Sequence, residues 1–187
     1  WKPPRQQGRS LPRLWIPLPA VGVAAAYLAV FFGTGFLSAL EIDVDFNVNV
    51  LTGSDGVLRG APGGHPDTAA GSKCCIIVTP LVRGRMATVC DHVVTVTTPG
   101  DCVDVLVTDY GVAVNPLRAN LIACLDAAGI PHVTIQSLRD RAYGIVGVPD
   151  ELQWQDKVVA VVEARDGTIL DVVRQIKPYT FDGTATP

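Results

Sequence analysis

Ile42, Val44, Phe46, Val48 and Val50 alternate with Asp43, Asp45, Asn47 and Asn49, and this period of two predicts a strand with one apolar and one polar face. The run ends in TGSDG (52–56), which is turn chemistry. Residues 74–79, CCIIVT, form a short continuous apolar run of the kind buried on both faces of a parallel sheet. Two further strands are predicted at 93–97 and 103–107, separated by TPGDC. Residues 116–128 read as a helix: Pro116 stands near the first turn, Leu117, Leu121, Ile122, Leu125 and Ala128 share a face, and Gly129 stops it. Residues 133–135 read as a strand. A second helix is predicted at 137–146, with Ser137 and Asp140 in capping-box-like places. Residues 158–164 and 168–176 flank Asp166-Gly167, a hairpin signal. Strand, helix, strand, helix and hairpin make an α/β order with an antiparallel appendage.

The first forty residues differ from the rest. Residues 14–40 carry no charge and follow a flank with Lys2, Arg5, Arg9 and Arg13. Length and flank fit a membrane-spanning or signal segment with its positive side inside. The competing reading is buried strand and helix pieces of a larger fold, or a truncated or misread gene start, and a first residue Trp1 favours a fragment. The tail at 178–187 reads as loose.

Composition narrows the class. With 187 residues, 48% hydrophobic and 18% charged, the chain is a folded domain and not a disordered one. A net charge of -3, with basic residues scattered after residue 13, argues against nucleic-acid binding. Five cysteines, an odd number with an adjacent pair inside apolar runs, predict reduced, buried thiols and a cytoplasmic location. No CxxC and no zinc-finger spacing occurs, so no metal site is expected.

Candidate chemistry begins in the glycine-rich connection. Neither GxGxxG nor GxxxxGK[ST] fits residues 53–71. Within RGAPGGHPDTAAG (59–71), backbone N–H groups at Gly63, Gly64 and 69–71 beside His65 and Asp67 suit an oxyanion or a carbonyl oxygen. The competing reading is a packing corner with His65 satisfied by a carbonyl. In PLVRGR (80–85), Arg83 and Arg85 follow a strand and suit a phosphate or carboxylate, or else a solvated loop. Asp109, Tyr110, Gly111 and Asn115 form a ligand-lining turn or an Asx-type turn into a helix. His92 and His132 read as structural. No GxSxG or HExxH motif is present.

Six strings supply a further lead: SALEIDVDFNVNVLTGSDGVLRG (38–60), GGHPDTAAG (63–71), IIVTPLVRGR (76–85), VVTVTTPG (93–100), VDVLVTDYGVAVNP (103–116) and KVVAVVEARDGTILDVVRQIK (157–177). In this order they resemble the carboxyl-terminal part of the citrate lyase alpha chain family, the citrate CoA-transferase subunit, over about three quarters of the chain. The resemblance implies a CoA-transferase-like α/β fold over residues 38–177: an open, mostly parallel sheet flanked by helices with a C-terminal antiparallel hairpin. Residues 1–37 stand outside it as an atypical basic, then apolar, segment.

The resemblance also implies an acyl exchange in which citrate displaces acetate from the thioester of an acyl carrier protein. The thioester is carried on a phosphopantetheine-type group of the gamma subunit, with no cofactor bound covalently to this chain. The beta subunit then cleaves the citryl group. No covalent acyl-enzyme is implied, which keeps Glu41 out of a nucleophile role. Gly53, Ser54, Asp55, Gly56, Gly63, Gly64, His65, Asp67, Arg83 and Arg85 are carried over as residues lining the thioester and acid sites. Homo-oligomerisation stays open, and so does membrane association, the less favoured reading of residues 14–40. Because the family's chain is longer, activity is expected only with its other half. The alternative class is a non-catalytic α/β binding or assembly domain, tethered to a membrane through residues 14–40.

Overall fold

A computed structural model describes residues 33–177; the charge-free run at 14–40 lies largely outside them, and the tail at 178–187 wholly so. Among the described residues no helix is long and apolar enough to cross a membrane. The chain enters through β1, Thr34–Leu37, and passes into β2, Glu41–Asp43. Here the period-two run turns out to be a hairpin and not one strand. Asp43 Oδ1 accepts the N–H groups of Asp45 at 3.0 Å and Asn47 at 2.9 Å, and Asn47 Nδ2 donates to Asp43 Oδ2 at 3.2 Å. The carboxylate-closed turn holds Phe46 at φ 65, a left-handed conformation uncommon for an aromatic residue, and buries it at 1% exposure. The chain returns as β3, Val48–Asn49, antiparallel to β2. Alternation could not distinguish the two outcomes because the Asp and Asn of the polar face bond their own backbone.

The glycine-rich connection also contains more order than its composition suggests. Pro66 stands in the first turn of α1, His65–Gly71, where its missing N–H costs nothing, and two alanines complete the helix. β4, Cys74–Val78, follows. β5, Val82–Arg83, and β6, Met86–Ala87, form a small hairpin across Gly84 at φ 62, and β7, Val89–Cys90, lies parallel to β2. Residues 93–97 do not form the predicted strand. Two of their N–H groups go to carboxylates, Val93 to Asp43 Oδ2 at 3.4 Å and Val96 to Asp171 Oδ2 at 2.7 Å, and Thr97 N–H goes to Val48 O at 2.9 Å, beside a single bridge between Val48 and Thr98.

After a 3₁₀ turn at Gly100–Cys102 come β8, Val105–Thr108, and β9, Gly111–Val114. The first predicted helix starts late, as α2, Ala119–Ala127, because Asn115 Oδ1 takes the Leu117 N–H at 3.0 Å in an Asx turn. Val133 only bridges Ala113, and Ile135 already opens α3, Ile135–Val146. The cap of α3 is Thr134, whose side chain accepts the Ser137 N–H, so Ser137 lies within the first turn and is not the cap. β10, Trp154–Glu163, and β11, Ile169–Ile176, form the predicted C-terminal hairpin, turning at Gly167 with φ 89.

β1, β4 and β8 run parallel, and β9 closes this four-stranded sheet antiparallel in the order β1-β4-β8-β9; a three-stranded sheet has the order β3-β2-β7. The mixed α/β class and the hairpin agree with the expectation. The apolar run at β4 is buried on one face only: Cys75 and Ile77 are at 0% exposure, whereas Val78 is at 46%. The reason lies in the helices. Cys75, Ile77, Leu106 and Ala113 share a core with Ala69 of α1 and Ile135, Leu138 and Ala142 of α3, so both helices cover the same side. The cysteines likewise divide: Cys75 and Cys90 are buried, Cys74 and Cys102 half-buried, and Cys124 is exposed on α2, against the expectation of uniform burial.

Candidate functional site

The site grows out of β2. Glu41, a carboxylic acid between Leu40 and Ile42, is at 0% exposure. β2 is the middle strand of its sheet, with β3 on one side and β7 on the other. Glu41 Oε1 accepts the Ser54 N–H at 2.6 Å, and Oε2 has no partner among the described residues. Burial raises the Glu41 pKa above its ordinary value, partly offset by the Ser54 N–H. The nearby Arg59 guanidinium, held by both oxygens of Asp55, opposes the rise only weakly.

Asn49 positions the loop that carries Ser54. Its Oδ1 accepts from Leu51 N at 2.9 Å and Thr52 N at 3.2 Å, and its side-chain amide donates to Thr52 O, swinging the chain out of β3. Gly53 N–H donates to Val57 O at 3.1 Å and Gly56 N–H to Gly53 O at 2.8 Å. Gly56, at φ 76, fits where a Cβ would come within 2.0 Å of Ile176 Cδ1. Asp55 then clasps Arg59, and this pair holds its carboxyl below the usual carboxylate range.

Two concavities meet at this loop. An open cleft of about 1300 Å³ is lined by Ser54, Asp55 and Arg85, by the end of α3 and by Ile176. A smaller one of about 450 Å³ is lined by Ser38, Ala39, Leu40, Arg59 and Arg83. Met86 borders both, and the Asp55–Arg59 pair has one member in each. The tight turn at Gly84 sends the two predicted arginines apart, Arg85 to the large cleft and Arg83 to the small one. Arg83 Nη2 donates to Ala39 O at 3.1 Å and Thr79 Oγ1 at 3.4 Å, which fixes the guanidinium at the cleft wall.

His65 lies behind that wall. Its Nε2 is 3.0 Å from the Ser38 carbonyl oxygen and its Nδ1 is 2.7 Å from Thr98 Oγ1. A carbonyl can only accept, so Nε2 carries the proton and Nδ1 accepts from the threonine hydroxyl. Burial lowers the His65 pKa, favouring this neutral form. Gly63 and Gly64 line neither cleft, and the space where a Cβ would stand is open at both. Asp67 pairs with Arg165 of the hairpin at 2.5 Å.

The sequence-predicted set therefore falls into three groups: Gly53, Ser54, Asp55, Gly56 and Arg85 at or beside the large cleft, Arg83 at the small one, and Gly63, Gly64, His65 and Asp67 at the start of α1. Sequence reasoning missed Arg59 and Met86 as lining residues and missed the buried state of Glu41. Asp109, Asn115 and His132 are structural: Asp109 accepts Leu81 N–H at 2.8 Å, Asn115 donates to Gly100 O at 2.8 Å and Val103 O at 2.7 Å, and His132 faces Asp126 at 3.9 Å.

Comparison with known proteins adds a lineage to this geometry. Residues 29–176 match the family described as citrate lyase, alpha subunit (CitF). The citrate lyase alpha chains of Klebsiella pneumoniae and of Escherichia coli K12 are each 60% identical to it over 141 residues, 75% of this chain and 28% of theirs. A crystal structure from Streptococcus mutans, assigned to the alpha subunit of citrate lyase and solved in complex with citrate, superposes with a TM-score of 0.74 at 52% identity, covering 78% of this chain and 28% of that one. The chain thus spans little more than a quarter of the length of the curated relatives it matches.

Proposed function

The chain belongs to the citrate lyase alpha subunit family, and from that membership we propose that it supplies one wall of a site where a citrate-type acid displaces acetate from an acyl carrier thioester. The carrying observation is the pair of clefts joined at the Asp55–Arg59 contact, with Arg83 fixed in the smaller one. The small cleft takes a carboxylate of the acid on Arg83, as a guanidinium suits. The large cleft, with Ser54 and Arg85, takes the phosphopantetheine-type arm carried by the gamma subunit.

Atoms balance in the exchange. A carboxylate oxygen of the acid attacks the acetyl carbon, the thiolate leaves, and the thiolate then attacks the new acyl carbon, so acetate departs with one oxygen of the acid. No protein nucleophile enters. Glu41 suits that reading because it is buried and its one contact is to backbone. The beta subunit cleaves the citryl group afterwards. In this reading the domain is CoA-transferase-like and cytoplasmic, and it works with the remaining length that its relatives carry.

The test is exchange measured by mass spectrometry of the carrier, with acetyl-carrier protein and citrate supplied. The 187-residue chain alone is expected to give no citryl-carrier, and the chain mixed with the remainder of the E. coli alpha chain is expected to give it. Arg83→Ala in that mixture raises the KM for citrate by roughly 10-fold or more. Turnover by the chain alone, or a stable mixture with no exchange, overturns the reading, and the second outcome favours a non-catalytic assembly domain.

A further inference from the structure

The mostly parallel sheet has one face that α1 and α3 do not cover, and it is open at its β1–β4 end. Register places Phe36, Ile76, Val105 and Val114 in one row and Val78, Val107 and Val112 in the next, on the side opposite Ile77, Leu106 and Ala113. Both α1 and α3 contribute to the core on the latter side. On the former, Phe36 is 69% exposed and Val78 46%, Ile76, Val107 and Val112 are half-buried, and Val105 and Val114 at the β8–β9 end are buried. No strand residue on this face carries a charge.

Parallel strands normally have both faces covered, because their crossovers place elements on each. A charge-free apolar face of this kind marks a surface for another polypeptide and not for an anionic ligand. The occupant follows from length: relatives 60% identical to this chain are covered over 28% of their own length, so most of an alpha subunit lies elsewhere. We propose that the face bearing Phe36 and Val78 is the seat of the polypeptide that makes up the remaining length of a citrate lyase alpha subunit. The inference rests on the reading above that this remaining length completes the site, and it adds where the two meet.

The experiment measures binding of the 187-residue chain to the separately produced remainder of the E. coli alpha chain by analytical ultracentrifugation. Val78→Asp is expected to weaken binding by roughly 30-fold or more, as loss of a central apolar contact does. Val159→Asp, on the exposed hairpin, is expected to bind as the wild type does. Should Val78→Asp lose its fold by circular dichroism, Phe36→Asp on the outer strand gives the reading. A wild-type chain that does not bind, aspartate variants that bind unchanged, or a self-associated chain that Val78→Asp dissociates, each overturns the proposal, the last assigning the face to a second copy. Binding without acyl exchange sinks the catalytic reading and leaves this one standing; exchange undiminished in Val78→Asp does the reverse.

Discussion

The Ser54 N–H donates to Glu41 Oε1 at 2.6 Å, so a fully buried carboxyl on β2 sets the turn that separates two clefts. Glu41 Oε2 has no partner among the described residues, and an anion so placed would be expensive. The neutral acid fits better. Glu41→Gln keeps an acceptor for Ser54 and is expected to cost about 1 kcal/mol or less, whereas Glu41→Ala frees the Ser54 N–H and leaves a void, costing roughly 2–3 kcal/mol. Urea titration of both variants checks the order, and an alanine variant as stable as the glutamine variant would refute the latch.

The same carboxyl makes stability depend on pH. Its pKa in the fold is raised from 4.5, so the folded state binds the proton more tightly than the unfolded state. Its stabilisation is complete below pH 4.5 and is lost as pH rises through the folded value. Asp43, raised by burial from 3.8 with its Asn47 bonds opposing, has the same sign. Glu41→Gln is expected to flatten the decline without abolishing it, because Asp43 remains. Unfolding midpoints across pH 4 to 8 read this, and an unchanged slope rules it out.

His65 pulls the other way. Its pKa is lowered from 6.5, so the unfolded state binds the proton more tightly, and the stabilisation present above pH 6.5 is lost as pH falls through the folded value. His65→Ala is expected to remove that acid-side loss and to cost roughly 1–3 kcal/mol at neutral pH, since the Ser38 carbonyl and the Thr98 hydroxyl each lose a partner. Ser38 lines the small cleft, so citrate affinity should fall in the same variant. Calorimetric binding in the reconstituted mixture is the check; equal affinity would show that His65 does not hold the wall.

These acids also show where reading the sequence stopped short. The parallel strands at 74–78 and 105–108 and the turn at Asp166-Gly167 were visible because β-branched runs and an Asp-Gly pair carry their own geometry. The burial of Asp43 was not legible because period two reports which residues share a side, not which side is covered. Arg59 escaped because its pairing with Asp55 crosses a turn and not a helix. The seven residues of α1 hid among glycines, since propensity averaged over RGAPGGHPDTAAG outweighs two alanines and a well-placed proline.

Cysteine chemistry should follow burial. Cys124 is exposed on α2, while burial pushes the Cys75 thiol up to about 12 and raises Cys90 still further. With an aromatic disulfide reagent at pH 8, Cys124 is expected to react first, Cys74 and Cys102 more slowly, and Cys75 and Cys90 only after denaturant is added. Peptide mapping by mass spectrometry assigns the order. Early labelling of Cys90 would mean that the β2–β7 pairing opens readily.

Two glycines should respond to alanine in different ways. At Gly56 a Cβ would meet the far end of Ile176, which can rotate away, so the remaining penalty is mainly the positive φ of 76 and is expected to be about 1–2 kcal/mol. At Gly100 a Cβ would stand 2.0 Å from the Asp45 carbonyl oxygen and 2.9 Å from the Phe46 carbonyl carbon, both backbone atoms in the turn closed by Asp43. That turn cannot give way without releasing Phe46 from the core and the Gly100 N–H from Asn47 Oδ1 at 2.9 Å. Gly100→Ala is therefore expected to cost more than Gly56→Ala, by roughly 2 kcal/mol or more. Thermal unfolding of the two variants side by side decides it, and a milder effect at Gly100 would mean that the Asp43 turn is softer than its hydrogen bonds imply.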